Sequence, residues 1–172
     1  MIASLARKIT RAKWMRHPEL AAGEIAADAV TADLRTSGNA LSFWRCGSPG
    51  EAEVERIALA MAAAGDRIDR LDLVWISEEH LAADGQTWEG TAGHTPIVES
   101  RSLHVDVLRL DYVRLGSVAH RVADAIANGR CVRFTRTRVR ELLVAAVTRG
   151  DVAIADLADR VRDEVGAALQ AF

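Results

Sequence analysis

The sequence predicts an α/β fold, with α+β as the neighbouring possibility. The expected form is a small mixed sheet containing a β-hairpin and one β-α-β unit, followed by a long helix and two C-terminal helices. Three observations carry this. Leu71, Leu73, Val74, Trp75 and Ile76 form a nearly continuous apolar run, as in a strand buried on both faces. Just before it, Val54, Ile57, Ala58, Met61 and Ala64 recur at helical spacing. Farther on, Val105, Leu108, Tyr112, Leu115, Ala119, Val122 and Ile126 recur in steps of three and four.

The elements follow in order. Residues 4–17 hold Arg7, Lys8, Arg11, Lys13 and Arg16 and no acid, with Ile9 and Trp14 interrupting the basic run; strand, helix and arm all remain open there. Residues 18–31 are weakly helical, with Gly23 disfavouring a regular helix. In residues 33–45, Leu34 and Thr36 precede Ser37-Gly38-Asn39, and Leu41, Phe43 and Trp44 follow. Gly and Asn tolerate the positive φ of a tight turn, so this stretch reads as a hairpin. Ser48-Pro49-Gly50-Glu51 fits a capping box, with Ser48 as N-cap and Glu51 at N3, and Gly65 ends that helix. Strand, helix and strand in this order imply a parallel crossover.

Residues 77–94 read as one or two helical turns over Glu78 to Ala83, then loop through Asp84-Gly85 and Gly90 to Gly93. Thr95-Pro96 and Asn128-Gly129 bracket the long helix, about 96–128. After an arginine-rich connector, Val139, Leu142, Leu143, Ala146 and Val147 mark a helix closed by Gly150. Asp151 is the expected cap of a last helix carrying Ile154, Leu157, Val161, Val165 and Leu169. The expected division is an α/β domain over 1–94 and a helical region over 95–172.

Composition bounds the function. The chain has 172 residues, 49% hydrophobic and 27% charged, with net charge −2, enough for a substantial core and no global attraction to polyanions. Lys8 and Lys13 stand against twenty arginines among 22 basic residues, a bias that fits a GC-rich bacterial genome. Cys46 and Cys131 form no CxxC, so a reduced cytoplasm is the expected location. Residues 1–8 lack the apolar run of a signal peptide, and no stretch reaches the length of a membrane span.

Four groups of residues are candidates for function. At the expected strand ends, Cys46, Ser48, Glu78 and His80 have the types needed for nucleophilic or acid–base chemistry, although capping and turn roles account for several of them. His94, His104 and His120 fall near the long helix, but His104 and Asp106 are two apart and diverge by about 200° on a helix; no metal and no cofactor is expected. Arg130, Arg133, Arg136, Arg138 and Arg140 cluster within eleven residues with Phe134 among them, a possible phosphate-contacting patch, opposed by the acids of the last helix. Finally, Val105, Leu108, Tyr112, Leu115 and Val122 form a stripe wide enough to bury against a second chain. The leading expectation is a non-enzymatic cytosolic interaction or accessory subunit, of the immunity-protein or antitoxin kind, that oligomerises or binds a protein partner through its helical half. A nucleic-acid-binding regulator using the 130–140 arginines and a small enzyme near Cys46, Ser48 and His80 are the alternatives.

Overall fold

The computed structural model describes residues 3–15, 17–47 and 49–171. Six strands, β1 (Ser4–Ile9), β2 (Leu41–Cys46), β3 (Leu71–Ser77), β4 (Thr87–Gly90), β5 (His104–Leu108) and β6 (Cys131–Phe134), form one sheet in the order β4-β5-β2-β1-β3-β6. Every neighbouring pair is antiparallel. Among the described residues, seven α-helices accompany the sheet: α1 (Arg11–Trp14), α2 (Ala27–Asp33), α3 (Glu51–Ala63), α4 (Glu78–Ala83), α5 (Tyr112–Ala127), α6 (Arg136–Arg149) and α7 (Asp159–Gln170). The α/β class is thus observed.

Period-two alternation sends each strand's apolar residues to both faces. Leu5, Phe43, Val74, Ile76, Val105 and Val107 pack with Leu81 of α4 and with Val118 and Val122 of α5. Ala6, Trp44, Leu71 and Leu73 pack on the opposite side with Ile57 of α3, Leu143 of α6 and Val161 of α7. The apolar run of β3 is therefore a strand covered on both faces.

Three expectations are corrected. First, β2 and β3 are parallel to each other but not adjacent, because β1 lies between them, with Ser4 opposite Cys46 on one side and Ser77 on the other. The sheet is antiparallel, and α3 connects strands split by a third. Second, the long helix over 96–128 does not form. Val98–Leu103 is a 3₁₀ segment, His104–Leu108 is β5, and only Tyr112–Ala127 is α-helical. The steps of three and four from Val105 onward coincide with a period of two at Val105 and Val107, both fully buried. Arg109, at φ 55°, and Asp111, whose side chain caps α5 by accepting from Arg114 N–H at 2.8 Å, separate the two elements. Third, the 33–45 hairpin keeps its turn but loses an arm. Gly38 and Asn39 both have φ 59°, and Ser37 and Ala40 exchange backbone bonds, yet α2 runs to Asp33 and Leu34 is a buried helix end.

Smaller shifts accompany these. The N-cap of α3 is Gly50, without a side-chain cap bond; Ser48 lies outside the described residues, as does Arg16. The last helix begins at Asp159 after a 3₁₀ turn, Ile154–Asp156, not at Asp151. Strands β4 and β6 replace stretches that read as loop and connector. The end of α6 is as expected, with Gly150 at φ 82° in the left-handed region.

Candidate functional site

The strand-end constellation is not assembled. Cys46 belongs to the core facing α3, whereas α4, which carries His80, packs Leu81 into the other core. β1 fills the space between the two strand ends: Glu78 N–H donates to Ala3 C=O at 2.9 Å, and Arg45 lies 3.8 Å from the Glu78 carboxylate. Cys46 is 1% exposed. Burial, reinforced by Glu53 and opposed by Arg56, pushes its thiol up to about 11, so little thiolate forms near neutral pH. His80 instead faces its own helix neighbourhood. Its backbone N–H is capped by Ser77 Oγ at 3.1 Å, and it contributes to the field at Asp84. Asp84 accepts from Ser117 at 2.7 Å and from Arg121 Nε at 2.7 Å, which straps the end of α4 to α5.

The expected partner stripe is divided between core and surface. Val105 and Val122 are wholly buried in the chain's own core. Leu115 packs partly against that core, and Leu108 is half-buried at the end of β5. Tyr112, in contrast, is 94% exposed and its neighbour Val113 83%. These residues do not form one face, because they sit on a strand and a separate helix.

The arginines of the 130–140 stretch are consumed by carboxylates from four other elements. Arg130 pairs with Asp124 of α5 at 2.5 Å. Arg133 donates twice to Asp72 of β3, at 2.6 and 3.0 Å. Arg136 pairs with Glu164 of α7 at 2.6 Å. Arg138 pairs with Glu55 of α3 and with Glu141 at 3.5 Å. Asp72 is only 4% exposed. Burial pushes its carboxyl up, but the bond and charge of Arg133, the Arg11 N–H and the charge of Arg70 outweigh this and hold it below the ordinary range. Of the acids of α7 that would repel a nucleic-acid backbone, Glu164 is a partner of this cluster, and Asp159 pairs with Arg162 of its own helix. The remaining member, Arg140, has no ion pair among the described residues and lines a groove instead.

That groove lies between α6 and α7. The inner sides of the two helices are fixed by Val139, Leu143 and Ala146 against Val161 and Val165, all buried. Their outer sides carry small residues, so the two helices leave a concavity of about 700 Å³. Val144 and Ala145 form one wall, Ala167, Ala168 and Ala171 the other, and Arg140 and Glu164 stand at the rim. It is mainly apolar with a few charges at the edge, the make-up of a surface that buries against another protein. Sequence reasoning missed it. The available signal was the alanine content of the outer faces, which acquires meaning only once α6 and α7 are placed side by side.

Among the described residues, no three His, Cys, Asp or Glu side chains converge as a metal site, and no helix is long and apolar enough to cross a membrane. Compared with known proteins, this chain matches no protein-family model, no curated protein and no solved structure.

Proposed function

We propose that this chain is an interaction or accessory component that assembles through its C-terminal helical half, with the α6–α7 groove as the contact and a second copy of the chain as the occupant. The groove itself carries the reading: a concavity of about 700 Å³ with apolar walls on an otherwise charged helical layer. Alanine walls permit close approach of a helix, and burial of such a face stabilises by about 25 cal/mol per Å² of apolar surface. The rim supports self-association. Arg140 has no carboxylate of its own chain among the described residues, while Glu141 and Glu164 line the same groove and, although paired with Arg138 and Arg136, keep unfilled acceptor sites. A two-fold contact sets each copy's arginine against the other's glutamates. The stripe over 105–122 contributes to this role only through the exposed start of α5.

Mass-determined size exclusion over a wide concentration range tests the reading. The 18.6 kDa chain is expected to elute as a dimer, and Ala168→Glu, at the groove wall, to elute as a monomer that still melts cooperatively, at a temperature lowered only by the lost association. A wild-type chain that remains monomeric at its highest soluble concentration overturns the proposal. So does a dimer indifferent to Ala168→Glu and to Ala145→Arg.

A further inference from the structure

On the sheet face away from α5, a second group of polar residues is linked across β2, β5 and the chain leaving β4. Ser42 Oγ donates to Asp106 Oδ1 at 2.8 Å. Thr91 Oγ1 lies 3.0 Å from Asp106 Oδ2 and 2.7 Å from His104 Nδ1. A hydroxyl has one proton to donate. Given to the Asp106 carboxylate, it leaves the Thr91 oxygen to accept, so His104 Nδ1 is the donor. The neutral imidazole is then fixed with its Nε2 lone pair accepting from no donor among the described residues. Burial, offset by Asp106 and reinforced by His94, lowers the pKa of His104 and favours that neutral form.

The ring is held on its other sides as well. Trp44 meets it edge-on with centroids 5.3 Å apart. Gly93 lies directly over the pair: a Cβ there would stand 3.0 Å from both His104 Cβ and Trp44 Cη2. Only glycine fits without displacing the two rings.

Beside this relay run two clefts, of about 430 and 380 Å³, which meet at Arg7 and Ser42, and the smaller is lined by Asp106. Lys8 lines the larger and Arg35 the smaller, and neither has an ion pair among the described residues. Arg7 is occupied: its guanidinium donates to the carbonyls of Asp33, at 2.5 and 2.8 Å, and of Ser42. The smaller cleft thus sets one free cation, Arg35, beside the acceptor oxygens of Ser42 and Asp106. Asp106 has about four lone-pair sites of which two are filled.

Cations select an anionic group, and an arginine suits phosphate in particular. Clustered acceptors select hydroxyl groups. We propose that the smaller cleft binds a phosphorylated sugar, its phosphate on Arg35 and its hydroxyls on Asp106, whose carboxylate Ser42 and Thr91 hold in place. This site lies on the sheet, far in the chain from α6 and α7, and does not depend on the assembly proposed above.

Titrating the ¹⁵N-labelled full chain with ribose 5-phosphate, with inorganic phosphate and with ribose tests it. Ribose 5-phosphate is expected to bind saturably with a Kd below about 1 mM, and each fragment at least about tenfold more weakly. Arg35→Ala and Asp106→Asn are each expected to weaken ribose 5-phosphate binding by about tenfold or more, with amide spectra otherwise retained. Thr91→Val is expected to release the imidazole tautomer, read from its ¹⁵N shifts. No saturable binding of ribose 5-phosphate overturns the proposal, as does binding unaffected by Arg35→Ala. Inorganic phosphate binding as tightly as the sugar phosphate reduces the cleft to an anion site and overturns the hydroxyl-recognition half.

Discussion

Asp33, the last residue of α2, is the anchor of the N-terminal segment, and removing its carboxylate tests that role directly. Its Oδ2 accepts from Thr10 N–H at 2.7 Å and from Trp14 Nε1–H at 2.7 Å, and its Oδ1 accepts from Thr10 Oγ1 at 3.0 Å. Asp33→Ala leaves three donors without a partner at a part-buried site. At about 1 kcal/mol net per bond, with some recovered by water, the loss is about 2–3 kcal/mol. For a chain of this size that lowers Tm by roughly 5–10 °C. Asp33→Asn keeps one carbonyl acceptor and is expected to fall about midway between the two. Urea unfolding measures both, and the slope with denaturant should be unchanged, since the surface exposed on unfolding is the same. Amide exchange should quicken at Thr10 to Trp14 before it does so elsewhere. A stability loss under about 0.5 kcal/mol, the level of an ordinary surface substitution, would show that α1 is not held by this carboxylate.

Three further outcomes are expected. Asp84 is held down to about 2, chiefly by the Arg121 bond, against burial and with help from Ser117, the Arg121 charge and His80. Because the folded value is depressed, its stabilisation is present above the ordinary carboxylate range and is lost as pH falls from about 4 through about 2. Asp84→Asn should therefore cost about 1 kcal/mol near neutral pH, after allowance for solvent screening, and nothing in strong acid, as followed by thermal melts across that window. Leu143, fully buried between α3 and α7, should cost about 2–5 kcal/mol on truncation to Ala, measured by urea unfolding; a loss below about 1 kcal/mol would mean that α6 is not part of the core. Thiol labelling at pH 8 should modify Cys131 in the folded chain and Cys46 only after unfolding, because Cys46 is buried and its thiol is raised; equal rates in the folded chain would contradict that placement.

The parts of this fold that can be read locally were legible. The helix over 51–63, the apolar β3 and the glycine stop of α6 each display a full period or a cap within their own residues. The misreading of Val105 to Leu115 has a definite cause. A strand of five residues and the first turn of a helix lie four residues apart, and together they mimic one helical stripe. The break is written in Asp111, a good N-cap that a continuous helix would not need. Strands β4 and β6, four residues each, are too short to show alternation; they exist because β5 and β3 supply their partners. The arginine cluster was visible as charge, but its neutralisation was not. Asp72 lies 61 positions before Arg133 and Glu55 lies 83 before Arg138, and only the tertiary fold brings them together. The groove and the relay on the sheet were illegible for the same reason.

The position of β1 has a consequence for how the molecule is made. The ladder from β4 through β5 and β2 reaches β3 and β6 only through the six residues Ser4–Ile9. They are synthesised before the other five strands described, yet most of their pairing is with β3, where Ser4 meets Ser77 and Ile9 meets Asp72. Until that later strand arrives, β1 is a basic strand with one long edge open, and the two flanks of the sheet have no hydrogen-bonded connection. Closing contacts so distant in sequence is slow. The rate-limiting event of folding is therefore expected to be the seating of β1, a keystone laid before the arch around it exists.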